Sequence, residues 1–86
     1  MANGKIILKK LDLMGYTPAT QVWFVQNGGG PGSVIVASAL RDDARKGHLD
    51  CFQHMGMPSY GVRGIEAARA YADRADAGFG FSVEWR

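Results

Sequence analysis

Apolar and polar residues alternate most regularly near the C-terminus. Phe79, Phe81, Val83 and Trp85 interleave with Gly80, Ser82, Glu84 and Arg86, the period of a half-buried strand. Upstream, Ile65, Ala68, Ala72 and Ala75 recur at helical spacing and predict an amphipathic helix from Arg63 to Asp76. Glu66, Arg69, Asp73 and Asp76 fall on its wet side, with Arg69 one turn from Asp73. A stripe made mostly of alanine requires the helix to lie close to its sheet. The bulky inward residues of Phe79–Trp85 complement it, and Gly78 supplies a left-handed stop between the two.

The rest of the chain is patterned less clearly. Lys5–Leu13 reads as a strand, with Ile6 and Leu8 on one face and Ile7, Leu11 and Leu13 on the other. Either both faces are covered in part or a bulge shifts the register near Lys9. Gly15-Tyr16-Thr17-Pro18 is a turn. Gln21–Gln26 is a second strand, in which Val22 and Phe24 oppose Trp23 and Val25. Asn27–Gly32 is a glycine-rich loop. In Ser33–Lys46, the run Val34-Ile35-Val36 favours a strand through about Ala39, followed by a polar turn or short helix. The competing reading is a helix capped by Ser33, with Val36, Ala37, Leu40 and Ala44 on one face. His48–Met55 reads as a strand with Leu49, Cys51 and Met55 inward, and Gly56-Met57-Pro58-Ser59 as a loop.

These elements predict one α+β domain over residues 1–86. A small antiparallel or mixed sheet of about four to five strands carries one C-terminal amphipathic helix, in the order β-β-β-β-α-β. A helical Ser33–Lys46 changes the order to β-β-α-β-α-β.

Composition narrows the function classes. A chain of 86 residues suits one thin core with little room for an enclosed active site. The net charge of +2 lacks the basic stripe of a nucleic-acid binder. Lys5 and Lys9 share a strand face that Lys10 opposes, and Asp42 and Asp43 dilute the cluster of Arg41, Arg45 and Lys46, so nucleic acid is not the expected partner. The single cysteine, Cys51, excludes an intrachain disulfide. Its inward phase predicts a buried, inert thiol. Apolar runs such as Val22–Val25 fall well short of the ~18 residues that span a bilayer, and no apolar h-region follows the N-terminus. We expect a cytoplasmic protein that does not engage a membrane.

Three constellations are candidates for function. The loop Gly28–Gly32 with Ser33 offers backbone N–H groups to an anion, through Gly29, Gly30, Gly32 and Ser33. Its spacing matches neither a P-loop nor a dinucleotide fingerprint, and its simpler role is a flexible connector. The second is His48-Leu49-Asp50-Cys51-Phe52-Gln53-His54. On a strand, His48, Asp50, Phe52 and His54 share a face while Cys51 points away. Two imidazoles and a carboxylate suit acid–base work or a metal, but a half-covered sheet face accounts for them as well. The third is Tyr16, Trp23, Tyr60 and Arg63, residue types enriched in protein interfaces.

Gly30-Pro31-Gly32-Ser33, followed by a possible helix with Ala44-Arg45, then Gly47 and a strand, resembles the coenzyme-A loop of the GNAT acetyltransferases. Ala67–Tyr71 and Gly78-Phe79 resemble that family's later helix and strand. The resemblance implies a coenzyme-A-like ligand on the loop, which as an anion-binding loop would also suit a nucleotide, although Pro31 removes an N–H where that family uses donors.

No catalytic constellation coheres, so no catalytic residue, metal or cofactor is assigned. The expected function is that of a small non-enzymatic binding protein, of the kind phages or mobile elements encode as inhibitors or adaptors of a host system. Its partner would be a protein or a second copy of the chain, met through Tyr16, Trp23, His48, His54, Tyr60 and Arg63. A small-ligand binder or minimal GNAT-like enzyme built on the glycine loop is the alternative.

Overall fold

A computed structural model describes residues 3–11, 15 and 17–86. The chain runs β1 (Lys5–Lys10), β2 (Val22–Asn27), α1 (Ser33–Arg45), β3 (Asp50–His54), β4 (Met57–Arg63), α2 (Ile65–Asp73), a π-helical turn (Arg74–Gly78) and β5 (Ser82–Trp85). One five-stranded sheet has the order β3-β4-β2-β1-β5. β1 and β5 are parallel; the other neighbours are antiparallel. The class is α+β with a mixed sheet, but two helices lie between strands, in the order β-β-α-β-β-α-β. Among the described residues, no helix is long and apolar enough to cross a membrane.

The largest departure from expectation is α1. Ser33–Ala39 is helix rather than strand. The β-branched run favours a strand locally, but burial decides: Val36 and Leu40 point into the core while Val34 and Ile35 stay exposed, a helical and not an alternating pattern. Met57-Pro58-Ser59 is not loop but the start of β4, reached through a tight hairpin turn. Met55 and Gly56 both have positive φ, as a two-residue type I′ connection requires. Met55, expected inward, is therefore at the exposed hairpin tip, and Cys51 is also exposed.

Both helices pack on one face of the sheet. Ile6 and Leu8 from β1, Val25 from β2 and Val62 from β4 join Val36 and Leu40 of α1, with Ala68, Tyr71 and Ala72 of α2. Leu49, Ala75 and Phe81 complete this core, so the alanine stripe packs as expected. The terminal strand is shorter than expected, Ser82–Trp85 rather than Phe79–Trp85. Of its expected inward residues, Phe81 is buried, Phe79 and Val83 are half-buried and Trp85 is 44% exposed. Burying each large apolar side chain contributes about 1.5–3 kcal/mol. Ile7, Val22 and Phe24 are buried on the opposite face, which settles the phase of β1 without a bulge. Leu13 lies outside the described residues. The helix boundary also moves: Arg63 closes β4, and α2 starts at Ile65. The left-handed residue before β5 is Gly80, at φ 72°, rather than Gly78.

α1 and α2 are joined by a buried polar link. Asp43 is 1% exposed. Its carboxylate accepts from the Tyr71 hydroxyl at 2.8 Å and from Arg74 Nε and Nη2 at 3.1 and 2.9 Å. Burial alone would raise its pKa, but hydrogen bonds from Arg74 and Tyr71 and the charges of Arg74 and His48 hold the carboxyl below its ordinary value. Burial, then the bond to Asp43, pushes the Tyr71 phenol far up, so it stays a donor. The Asp43 backbone carbonyl also accepts from the N–H groups of His48 and Leu49, turning the chain from α1 toward β3.

Candidate functional site

The structure separates the residues expected to act together. Trp23 lies on the helix side, half-buried and edge-on to Trp85 with ring centroids 5.3 Å apart. Its buried Nε1 finds no hydrogen-bond partner among the described residues. Tyr60 also faces the helices and packs against the core. His48 is exposed in the turn between α1 and β3, off the strand, so it does not share a face with Asp50, Phe52 and His54. That removes the expected pair of imidazoles. Tyr16 lies outside the described residues.

His54 and Arg63 do share the sheet face opposite the helices, where each packs on one ring of the Phe24–Phe52 pair. Gly61 makes this possible. It pairs with Phe24 across the β2–β4 ladder and with Asp50 across β3–β4, and a Cβ there would meet Trp23 O at 2.7 Å and both phenyl rings at 3.2 Å. The space a side chain would fill is taken instead by Phe24 and Phe52, edge to face at 6.1 Å. The His54 imidazole lies 5.0 Å from Phe24, and the Arg63 guanidinium sits 5.6 Å from the centre of the Phe52 ring, within cation–π reach. Phe24 is buried beneath, Phe52 and His54 are half-buried, and Arg63 and Lys9 are exposed. Met57, also on this face, is 69% exposed, and Met55 at the adjoining tip is 89% exposed. The β3–β4 hairpin thus presents an apolar ridge with cations beside it. Phe52, Met55 and Met57 were not expected to contribute. Their signal was the Gly56 turn, which makes a hairpin of what reads as strand and loop.

A second feature is a cleft of about 390 Å³. β2 and β4 pair only through Val22–Phe24 and Gly61–Arg63, then part, while β4 remains paired to β3 as far as Met57. The register points the main-chain nitrogen of Pro58 toward β2, and proline has no N–H to continue the ladder. Val25, Asn27, Pro58 and Tyr60 line the gap, with Leu40 and Arg41 of α1. The glycine loop lies beyond Asn27. The Asn27 side chain accepts from Gly29 N–H and donates to the Ser33 carbonyl. Gly29 and Gly30 are exposed, Gly32 precedes α1 in a left-handed conformation at φ 83°, and Ser33 is the first helical residue without acting as a side-chain cap.

Among the described residues, no three His, Cys, Asp or Glu side chains converge as a metal site. Comparison with family models, curated proteins and solved structures finds no match to this chain.

Proposed function

We propose that the chain is a non-enzymatic protein-binding module that docks through the β3–β4 hairpin and the sheet face opposite its helices. The observation that carries this reading is the Phe52 cluster. An aromatic ring held by Phe24 and capped by Arg63 is a rigid anchor flanked by exposed Met55 and Met57. Aromatic, methionine and arginine side chains grouped this way are typical of interface centres. With Arg63 and Lys9 beside the ridge and the exposed Asp50 carboxylate on the same face, the fitting partner surface is apolar with groups of both charges at its margin. The test is retention of partners from lysate on the immobilised protein. The variants Phe52→Ala and Arg63→Ala should each weaken retention about tenfold or more, equivalent to ~1.4 kcal/mol, while Glu66→Ala on the outer side of α2 should leave it unchanged. Equal retention by all three variants would remove the face from consideration.

A ligand-binding reading is favoured by one observation: Ser33–Arg45 is a helix that follows the glycine loop and also lines the β2–β4 cleft. An extended ligand with an anionic end, such as a nucleotide or an acyl-coenzyme A, would lie in the cleft with its phosphates toward Gly29 and Gly30. In a thermal-shift series with these compounds, a rise in midpoint that disappears in Arg41→Ala supports the slot, and no rise with any of them counts against it.

A further inference from the structure

The two edges of the sheet differ. β5 is only four residues long, carries Glu84 in ionic contact with Lys5 and Arg86, and is followed by Arg86. Such charges discourage strand addition. β3 is the other edge. Its register with β4 is continuous from Asp50 to His54, without a bulge, and the strand contains no lysine or proline. Across the two-residue turn, His54, Phe52 and Asp50 direct their main-chain groups to Met57, Ser59 and Gly61. Those of Cys51 and Gln53 therefore point outward, and the Cys51 side chain is exposed.

The sequence of this edge is self-complementary. Laid antiparallel against a copy of itself with the two-fold axis at Phe52, Asp50 falls opposite His54 of the copy, Cys51 opposite Gln53, and Phe52 opposite Phe52. Residues opposite one another share a sheet face, so the carboxylate meets an imidazole donor twice and the two phenyl rings meet at the axis. Cys51 and Gln53 exchange four N–H···O bonds with their counterparts. A shift of register by two residues in either direction loses both Asp–His pairs.

We propose that the chain forms a two-fold symmetric dimer through β3, joining two five-stranded sheets into one. The pairing is isologous and closes on itself. It does not rest on the partner-docking reading: the two share the Phe52 side chain, but the dimer is held by the outward main-chain groups of Cys51 and Gln53, and it leaves Arg63 and the methionines accessible on the joined face.

Sedimentation across a concentration series should show a species of twice the 9.3 kDa chain mass. The variant Gln53→Pro removes an N–H that has no intrachain partner and should be monomeric, with the circular dichroism of the native fold. Covalent trapping tests the register in a folded chain. Gln53→Cys should yield a disulfide-linked dimer under mild oxidation, because Cys51 faces position 53 of the copy at a spacing a disulfide spans. The native chain, and Gln53→Cys combined with Cys51→Ser, should not. A 9.3 kDa species at every concentration would overturn the dimer, and rapid Cys51–Cys51 linkage in the native chain would overturn the Phe52-centred register.

Discussion

Replacing Asp43 with alanine is expected to remove about 3 kcal/mol of stability. The carboxylate is buried, and its loss strands the Tyr71 hydroxyl, itself only 4% exposed. Arg74 retains partial contact with water, with 38% of its side chain exposed, so it adds less to the loss than a fully buried cation would. A domain of this size has a total stability on the order of 4–13 kcal/mol, so the variant should show a clear fall in urea midpoint with little change in slope. Asp43→Asn keeps an acceptor for Tyr71 and should cost less, about 1–2 kcal/mol. Adding Tyr71→Phe to Asp43→Ala should recover part of the loss, because no hydroxyl is then left unpaired.

The same carboxylate gives a pH signature of definite sign. Its folded pKa lies below the ordinary 3.8, so the unfolded chain takes up the proton first as pH falls. The stability it contributes is fully present at neutral pH and is lost as pH falls past 3.8 and through the folded value. The stability difference between the native chain and Asp43→Ala should therefore narrow in acid. A constant difference from neutral pH to pH 2 would show that the Asp43 charge is not what joins the helices.

That link explains how much of the molecule was legible in the chain. The terminal strand, present as Ser82–Trp85, and the stripe Ala68-Ala72-Ala75 were readable because each is a local period filled by residues of contrasting size. The partners of Asp43 lie 28 and 31 residues away, and nothing local distinguishes it from its exposed neighbour Asp42. α1 was misread for a related reason: Val34 and Ile35 have strand propensity but sit on an exposed first turn, where packing exerts no demand. β4 was hidden by Pro58 and Gly61, residues that break most strands. Here Pro58 sits where the β2–β4 ladder has already ended, and Gly61 is needed for two phenyl rings to meet. The candidate site was half visible. His54 and Arg63 were identified, but the Phe24–Phe52 pair on which they pack depends on a hairpin that required Gly56 to be recognised as a turn.

The glycine loop yields the second large effect, which separates packing from any ligand role. Gly32→Ala should cost about 3 kcal/mol, combining a left-handed backbone that an L side chain disfavours by ~1–2 kcal/mol with overpacking of ~1–3 kcal/mol. The added Cβ would stand 2.0 Å from the Asn3 carbonyl oxygen. Asn3 cannot easily retreat, because its N–H donates to the Gly80 carbonyl at 2.9 Å and its side-chain amide to the Phe79 carbonyl at 3.0 Å. At Gly29, φ is 76° but nothing lies within 4 Å of an added Cβ, so Gly29→Ala should carry only the backbone cost, about 1 kcal/mol. Urea melts of the two variants decide the matter. A loss at Gly32 well above that at Gly29 means that this glycine serves the approach of α1 to the segment leading into β1. Equal losses would mean that no such approach exists. Because Gly29→Ala should remain folded, it is also the variant in which loss of a nucleotide-induced or acyl-coenzyme-A-induced thermal shift reports on the loop itself rather than on a collapsed scaffold.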